Sequence, residues 1–327
     1  MDDHPFTALG RQIRVVGTGT WQLGVDQGEV GLDEAAGTLS CACQTGVNLV
    51  ETADVYGDGR SERFVGRFLA EHPGAGLAVV TKTGRRLPPT PESYSRDNLL
   101  SWNDRSRENL GVETIDLAQM HSPPSKVIEA PRVWEVLDNM VDEGRIRAYG
   151  VSAETCEQAL QAIGHPGCAS VEIIINVFRH KPLEEVVPAA RETGTAVLVR
   201  VPLPEGLLSH NRRRSTDGTP PRFDPAAAVD AGRIFTVVPE DVGAQAAREF
   251  AGLCRELVPE HVHPVQVALR WVLDQEGITC ILPEARSPHQ ARFNARAAAL
   301  PPLSRDMHAA VTDLYDRLIR MHVHNHW

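Results

Sequence analysis

The sequence predicts a single (β/α)8 barrel, an α/β fold of eight parallel strands alternating with helices. Three observations carry this. Eight short runs rich in Val and Ile, apolar on both faces and bounded by turns, read as buried parallel strands. Stretches of helical period lie between them, giving crossovers spaced about 25–40 residues apart except for the longer last one. The rival, a doubly wound sheet, would carry Gly-x-Gly-x-x-Gly after its first strand. Here Gly17-Thr-Gly-Thr-Trp-Gln-Leu-Gly24 lacks the third glycine at the required place and opens no helix.

In chain order, strands are expected at 14–19, 47–52, 77–82, 114–120, 146–151, 170–177, 195–202 and 277–282. After the second strand, 61–71 places Phe64, Val65, Phe68 and Leu69 on one helical face; after the fourth, 131–143 does so with Val133, Trp134, Leu137, Met140 and Val141. Gly144, Gly164 and Gly194 stand where helices should stop. The segment 204–240 follows the seventh strand. It lacks periodicity and carries Pro204, Pro220, Pro221, Pro225 and Arg212–Arg214, a long loop of the kind that is usually functional. The helix 264–275 opens with Pro264 at a first-turn position. An extra C-terminal helix completes one domain over 1–327.

Composition narrows the partners. The chain has 327 residues, a formal net charge of −10, 42% hydrophobic and 23% charged residues. An acidic balance argues against nucleic acid or an anionic membrane surface as partner, since both want a basic face. No apolar stretch approaches a membrane span, and MDDHPFTALGRQ does not read as a secretory signal, so the cytoplasm is the expected compartment. Cys41, Cys43, Cys156, Cys168, Cys254 and Cys280 show no Cys-x-x-Cys pair and read as free thiols. Only Lys82, Lys126 and Lys181 are lysines, which draws attention to each.

On a barrel, chemistry sits at the strand C-termini. The second strand ends in Glu51-Thr-Ala-Asp-Val-Tyr56, the third in Thr81-Lys82 and the fourth in Gln119-Met-His121. Each residue alone is compatible with plain packing, but at three successive strand ends they point to a shared site. The set suits acid catalysis on a carbonyl. A tyrosine is a poor proton donor at neutral pH, an adjacent ammonium is expected to lower its pKa, a carboxylate holds the lysine, and the histidine orients the substrate oxygen.

The stretches ETADVYGDGRSERFVG, VVTKTG, IDLAQMHSPP, GRIRAYGVS, VRVPLPEGLL, ALRWVLDQEGITCILPEARSPHQARFN and the terminal VHNHW resemble the aldo-keto reductase family, in its order and over nearly the whole chain from Leu9 to Trp327. The resemblance implies a (β/α)8 barrel that uses NADPH, with NADH as the alternative, to transfer hydride to the aldehyde or ketone of a small molecule. It places the proton donor on Tyr56, with Lys82, His121 and the carboxylate of Glu51 beside it. It places cofactor contacts at Gly19, Thr20, Trp21, Ser152, Glu172, Arg200, Pro202, Leu203, Arg286, Gln290 and Asn294. No metal is implied; the tail His322, His324 and His326 has no carboxylate or cysteine beside it. Trp21 is read either as lining the substrate mouth or as core.

Five positions depart from the family's pattern. Glu51 stands for its catalytic aspartate, while Asp54 lies off that position; the longer arm shifts the ion pair with Lys82. Ser152-Ala153 replaces Ser-Asn, and Glu172 replaces a glutamine that would hold the nicotinamide carboxamide; a carboxylate accepts but cannot donate. Glu284 stands at a glycine or lysine position, where it is expected to oppose a 2′-phosphate against Arg286. Arg200 stands where many members stack a tyrosine. Arg212–Arg214 is a candidate pyrophosphate clamp, with a solvated basic run the plainer reading. These departures keep two rivals open: altered chemistry on the same fold, such as elimination or epimerisation, and a non-catalytic nucleotide-binding regulatory protein.

Overall fold

The computed structural model describes residues 2–24, 30–204 and 238–327. Two short strands, β1 (Asp3–Phe6) and β2 (Arg11–Arg14), form an antiparallel hairpin. A parallel sheet follows in chain order: β3 (Thr18–Gly19), β4 (Leu49–Ala53), β5 (Ala78–Thr83), β6 (Ile115–His121), β7 (Ile146–Ser152), β8 (Cys168–Ile174), β9 (Ala196–Arg200) and β10 (Cys280–Leu282). Every neighbour in this sheet is also the neighbour in sequence. Gly17 N–H donates to the Ile281 carbonyl at 2.9 Å and Ile281 N–H to the Val15 carbonyl at 2.9 Å, which joins the last strand to the first and closes the ring. The expected (β/α)8 barrel is the fold.

Each crossover carries a helix on the outside of the ring, and local signals set their ends. Ser95 accepts from Asn98 N–H to cap Arg96–Leu110, which Gly111 ends in the left-handed region at φ +66°. Pro131 and Pro264 occupy the first turns of Pro131–Asp142 and Pro264–Leu273. Gly194 ends Val186–Thr193 at φ +73°, whereas Gly164 caps Cys156–Ile163 in an ordinary right-handed conformation. The extra C-terminal helix is Arg305–Leu314, and it packs against Glu240–Leu257.

Two apolar layers result. Inside the ring, Leu49, Val80, Leu117, Leu198 and Leu282 pack with Phe6, Leu9 and Ile13, so the β1–β2 hairpin plugs the end of the barrel where the strands begin. Between ring and helices lies a larger layer that includes Val50, Val79, Trp134, Val171, Phe250 and Trp271. With the strand N-termini stoppered, the opposite mouth is left for chemistry. The hairpin is an addition to the sequence reading, which began its first strand at 14. The expected loop over 204–240 falls mostly outside the described residues, and so does the candidate clamp Arg212–Arg214.

Candidate active site

Parallel register lines up the polar strand ends. Gly19 pairs beside Glu51, Ala53 beside Lys82, Lys82 beside Gln119, His121 beside Ser152, and Ser152 beside Glu172. Tyr56 enters from the turn after β4, whose Tyr56 N–H donates to the Ala53 carbonyl at 3.1 Å. That turn is locked against the one-turn helix Trp21–Gly24. A Cβ on Gly57, which sits at φ +58°, would meet the Gly24 carbonyl oxygen at 2.0 Å, so only glycine allows the approach. Arg60 Nε donates to the same oxygen at 3.0 Å.

The structure brings Tyr56, Lys82, His121 and Glu51 together. Lys82 Nζ lies 5.2 Å from the Tyr56 ring centroid, and the Tyr56 and His121 rings meet edge-on with centroids 5.9 Å apart. Glu51 Oε1 contacts Lys82 Nζ directly. A second carboxylate joins it: Glu172 Oε1 is 3.2 Å from Lys82 Nζ and accepts from Ser152 Oγ at 3.1 Å. Lys82, Glu51 and Glu172 are all buried. Asp54 does not enter this cluster. It is buried beside Thr83, whose Oγ1 donates to Asp54 Oδ2 at 3.1 Å, and burial with Glu62 nearby pushes its carboxyl up to about 7.

Electrostatics follow from two carboxylates sharing one ammonium in a dry place. Burial works against the Lys82 charge, but Glu172 and Glu51 outweigh it and hold its pKa well above the ordinary lysine value. Burial pushes the Glu51 carboxyl up to about 7, with Lys82 pulling down and Glu172 adding to the rise. Burial and the charges of Lys82, Arg85 and Arg200 keep His121 far below the usual imidazole range, so it is neutral at pH 7. Tyr56 departs from the expectation. Enclosure first, then Glu51, raise its phenol above the ordinary value, and Lys82 offsets only part of this.

The remaining expected contacts fall around this centre. Thr20 is fully buried, and its hydroxyl is engaged with the Glu51 carbonyl at 2.8 Å and Ser61 Oγ at 2.7 Å while its N–H donates to the Glu51 carbonyl at 3.0 Å, so it braces the β3 end. Trp21 opens the one-turn helix after β3 and is half-buried at the mouth. Pro202 and Leu203 follow β9 directly. Gln290 and Asn294 brace the turn after β10: Gln290 Oε1 accepts from Arg286 N–H at 2.9 Å, and Asn294 Nδ2 donates to the Glu284 carbonyl at 3.1 Å. Glu284 itself turns inward, its Oε2 accepting from Gln22 N–H at 3.3 Å.

Glu154 is a site residue that the sequence reading missed. Its carboxylate pairs with Arg200 at 3.0 Å and accepts from Ser122 Oγ at 2.5 Å; burial opposes its charge, but Arg200 and Ser122 bring its pKa down to about 2. Backbone strain marks the same face. Asp58 (φ +51°), Ser122 (φ +49°) and Val201 (φ +48°) are the non-glycine residues at positive φ among the described residues, and all follow the C-terminal ends of strands. Ser122 beside Ser152-Ala153-Glu154 was the available signal, but pairing across the ring cannot be read from spacing. The tail histidines form no metal cluster; among the described residues no group of three ligating side chains does.

The comparisons with known proteins agree with this geometry. The sequence profile of the Aldo/keto reductase family matches residues 15–316. This chain belongs to that family. It is 27% identical to the aldo-keto reductase YhdN of Bacillus subtilis (strain 168), over 84% of this chain and 82% of that protein. It is 26% identical to the NADH-specific methylglyoxal reductase of Escherichia coli (strain K12), over 86% of this chain and 89% of that one. Among solved structures, the glycerol dehydrogenase AKR11B4 of Gluconobacter oxydans superposes with a TM-score of 0.76 at 27% identity, over 98% of this chain and 96% of the other. As a member of the aldo/keto reductase family the protein is an oxidoreductase.

Proposed function

We propose that this protein reduces the carbonyl group of a small metabolite with a reduced nicotinamide nucleotide, and that Tyr56 gives the proton. The observation that carries the reading is the junction of Tyr56, Lys82 and neutral His121 at one mouth, with Lys82 held by carboxylates. A bound nicotinamide would supply the hydride. This chain's residues do the rest. Neutral His121 directs a substrate oxygen by hydrogen bonding, and Tyr56, fully protonated at neutral pH, donates to that oxygen as it gains charge. Lys82, charged under all physiological conditions, stabilises the phenolate that forms.

The residues present fit a nicotinamide amide in part. Among the described residues Glu172 Oε2 is buried and has no hydrogen-bond partner, an acceptor suited to the amide NH2, while Ser152 Oγ has committed its proton to Glu172 Oε1. Ser152 and Glu172 would therefore grip the amide by its nitrogen alone. A lyase or epimerase reading would need Glu51 free to take a proton from carbon, and its contact with Lys82 argues against that. Purified protein should quench or enhance NADPH and NADH fluorescence on titration, and should oxidise one of them when methylglyoxal or glyceraldehyde is added. Binding of neither nucleotide would overturn the reading.

A further inference from the structure

The ends of β7, β8 and β9 are tied to the segment that follows the helix Arg305–Leu314. Just past β8, Asn176 is fully buried and braces a tight turn: Arg179 N–H donates to the Asn176 carbonyl at 2.8 Å, and Phe178 N–H donates to Asn176 Oδ1 at 3.0 Å. Asn176 Nδ2 also donates at 3.0 Å to the carbonyl of Val201, which follows Arg200 at φ +48°. The turn delivers Arg179, only 2% exposed, against Trp327, its guanidinium carbon 3.5 Å from the ring centroid. Trp327 is held there by an anchored chain. After the wide π-helical turn Tyr315–Ile319, His324 Nδ1 meets the Tyr315 hydroxyl at 3.1 Å, and Glu184 pairs with Arg320 at 2.6 Å and with His324 at 3.4 Å. Among the described residues the one side-chain acceptor for Arg179 is the Glu154 carbonyl, reached by Nη2 at 2.8 Å. The Glu154 carboxylate pairs with Arg200 at 3.0 Å, and Arg200 Nη2 donates to the Ala153 carbonyl at 3.2 Å.

We propose that Arg179, covered by Trp327, is a positioning residue: it fixes the Ala153–Glu154 turn and, through the Glu154 carboxylate, sets the place of the Arg200 charge beside the reacting centre. Its role rests on the carbonyl-reduction reading above and adds to it. A buried guanidinium is costly unless well answered, and this one is answered thinly. Its Nε is buried without a partner among the described residues, and burial with Arg200 nearby brings its pKa down to about 9. For stability alone an apolar side chain of similar volume is often as good or better. What arginine adds is a planar cation that stacks on an indole with its face and donates to a chosen carbonyl in its plane. The charge so placed matters to the chemistry, since Arg200 acts on Glu51 and His121 and lies within electrostatic reach of Tyr56. A phenolate forming on Tyr56 gains from Arg200 in the same sense as from Lys82. Asn176 completes the brace by holding the Arg179 turn and the backbone just after Arg200 together.

The test separates placement from plain stability. Trp327→Ala removes the covering ring, Trp327→Phe keeps a ring, Arg179→Met keeps volume without charge or donor, and Glu154→Gln loosens the hold on Arg200. Arginine Nε–H signals are followed by nitrogen-15 NMR, those of Arg179 and Arg200 assigned by substitution, with a thermal melt as the check on fold. That readout needs neither nucleotide nor substrate. Steady-state kinetics with NADPH or NADH and methylglyoxal or glyceraldehyde supply kcat and KM. The Arg200 signal should shift or broaden in Trp327→Ala and Arg179→Met, and return toward its wild-type position in Trp327→Phe. In the first two variants kcat should fall roughly tenfold with KM within about twofold, because a misplaced charge costs transition-state stabilisation and not ground-state binding. Glu154→Gln combined with Arg179→Met should lose no more than the larger single loss, since both act through Arg200. An Arg200 signal unmoved in Trp327→Ala, a signal that moves with kcat unchanged, or losses that multiply in the double variant would overturn the proposal. Where Arg179→Met does not fold, Trp327→Ala decides alone. Wild-type protein that reduces no carbonyl would instead overturn the reduction reading, and the NMR comparison would still decide whether Arg179 places Arg200.

Discussion

Replacing Glu172 with glutamine removes one of the two carboxylates on Lys82 and leaves the shape nearly unchanged. Both Oε1 atoms reach the same Nζ, one at 3.2 Å and the other in direct contact, so they lie within ~6 Å of each other. At an effective dielectric of about 20 that repulsion is worth ~3 kcal/mol, and in a water-like medium ~0.7 kcal/mol, or about one half to two pKa units. Glu172 raises Glu51. In Glu172→Gln the Glu51 carboxyl should therefore fall from about 7 by roughly one half to two units. If the charged Glu51–Lys82 pair is what supports Tyr56, the acid limb of the kcat/KM profile moves to lower pH by the same amount. The assay is kcat/KM from pH 5 to 9 with one carbonyl substrate, alongside a carbon-13 NMR titration of glutamate carboxyls. An acid limb and a carboxyl titration that both stay within 0.3 units (about 0.4 kcal/mol) of wild type would refute the shared-ammonium argument.

Tyr56→Phe should lower kcat by ~10²–10⁴-fold and leave nucleotide dissociation constants unchanged, because the hydroxyl acts only on the reacting oxygen; a variant above a tenth of the wild-type rate would remove Tyr56 from the donor role. Glu51→Asp should retain carbonyl reduction within about tenfold, since Lys82 keeps Glu172 at 3.2 Å when the shorter arm withdraws; steady-state kinetics that collapse with fold and nucleotide binding intact would give Glu51 a direct role of its own. Asp54 carries its proton more tightly folded than unfolded, about 7 against 3.8, so it makes the protein less stable as pH rises through that window, by at most ~4 kcal/mol. Urea unfolding of Asp54→Asn should accordingly show a flatter decline between pH 4 and 7 (the sign set by linkage), and an unaltered slope would contradict it. Gly57→Ala places a Cβ against the Gly24 carbonyl and should cost ~1–3 kcal/mol in a thermal melt along with most of the turnover, because the Tyr56 turn must move.

The barrel was legible because buried parallel strands must be apolar on both faces, and that pattern survives in sequence without reference to partners. Strand ends moved by a few residues: 170–177 became Cys168–Ile174, with the buried Ile175–Val177 continuing as irregular chain. The β1–β2 hairpin escaped notice because its strands are four residues long and mostly exposed, with Phe6 and Ile13 the inward anchors. Tyr56, Lys82 and His121 were legible as polar residues closing apolar runs. The way Glu172 shares Lys82, the Glu154–Arg200 pair and the inward turn of Glu284 were not, for each joins residues from different strands around the ring. Spacing fixes which strand end a residue occupies; only the closed sheet fixes whom it meets.

Those cross-ring meetings have a common sign. Glu51, Glu172 and Glu284 are the acidic departures from the family's pattern, and all three converge on the Tyr56–Lys82 centre. Enclosure, with Glu51 and Glu284 adding to it, makes a phenolate costly at rest. That does not prevent donation, because an alkoxide formed by hydride addition is a stronger base than the phenolate left behind. It does oppose the reverse step, which must begin from ionised Tyr56. Alcohol oxidation by this protein should therefore be slow at neutral pH and speed up as the pH is raised, while the equilibrium position is set by the reactants and the pH and not by Tyr56. Removing the charge of Glu284 should lower the pH at which oxidation begins, because Glu284 is among the groups that raise the Tyr56 phenol. A Glu284→Gln protein with an unmoved pH onset for alcohol oxidation would break this link.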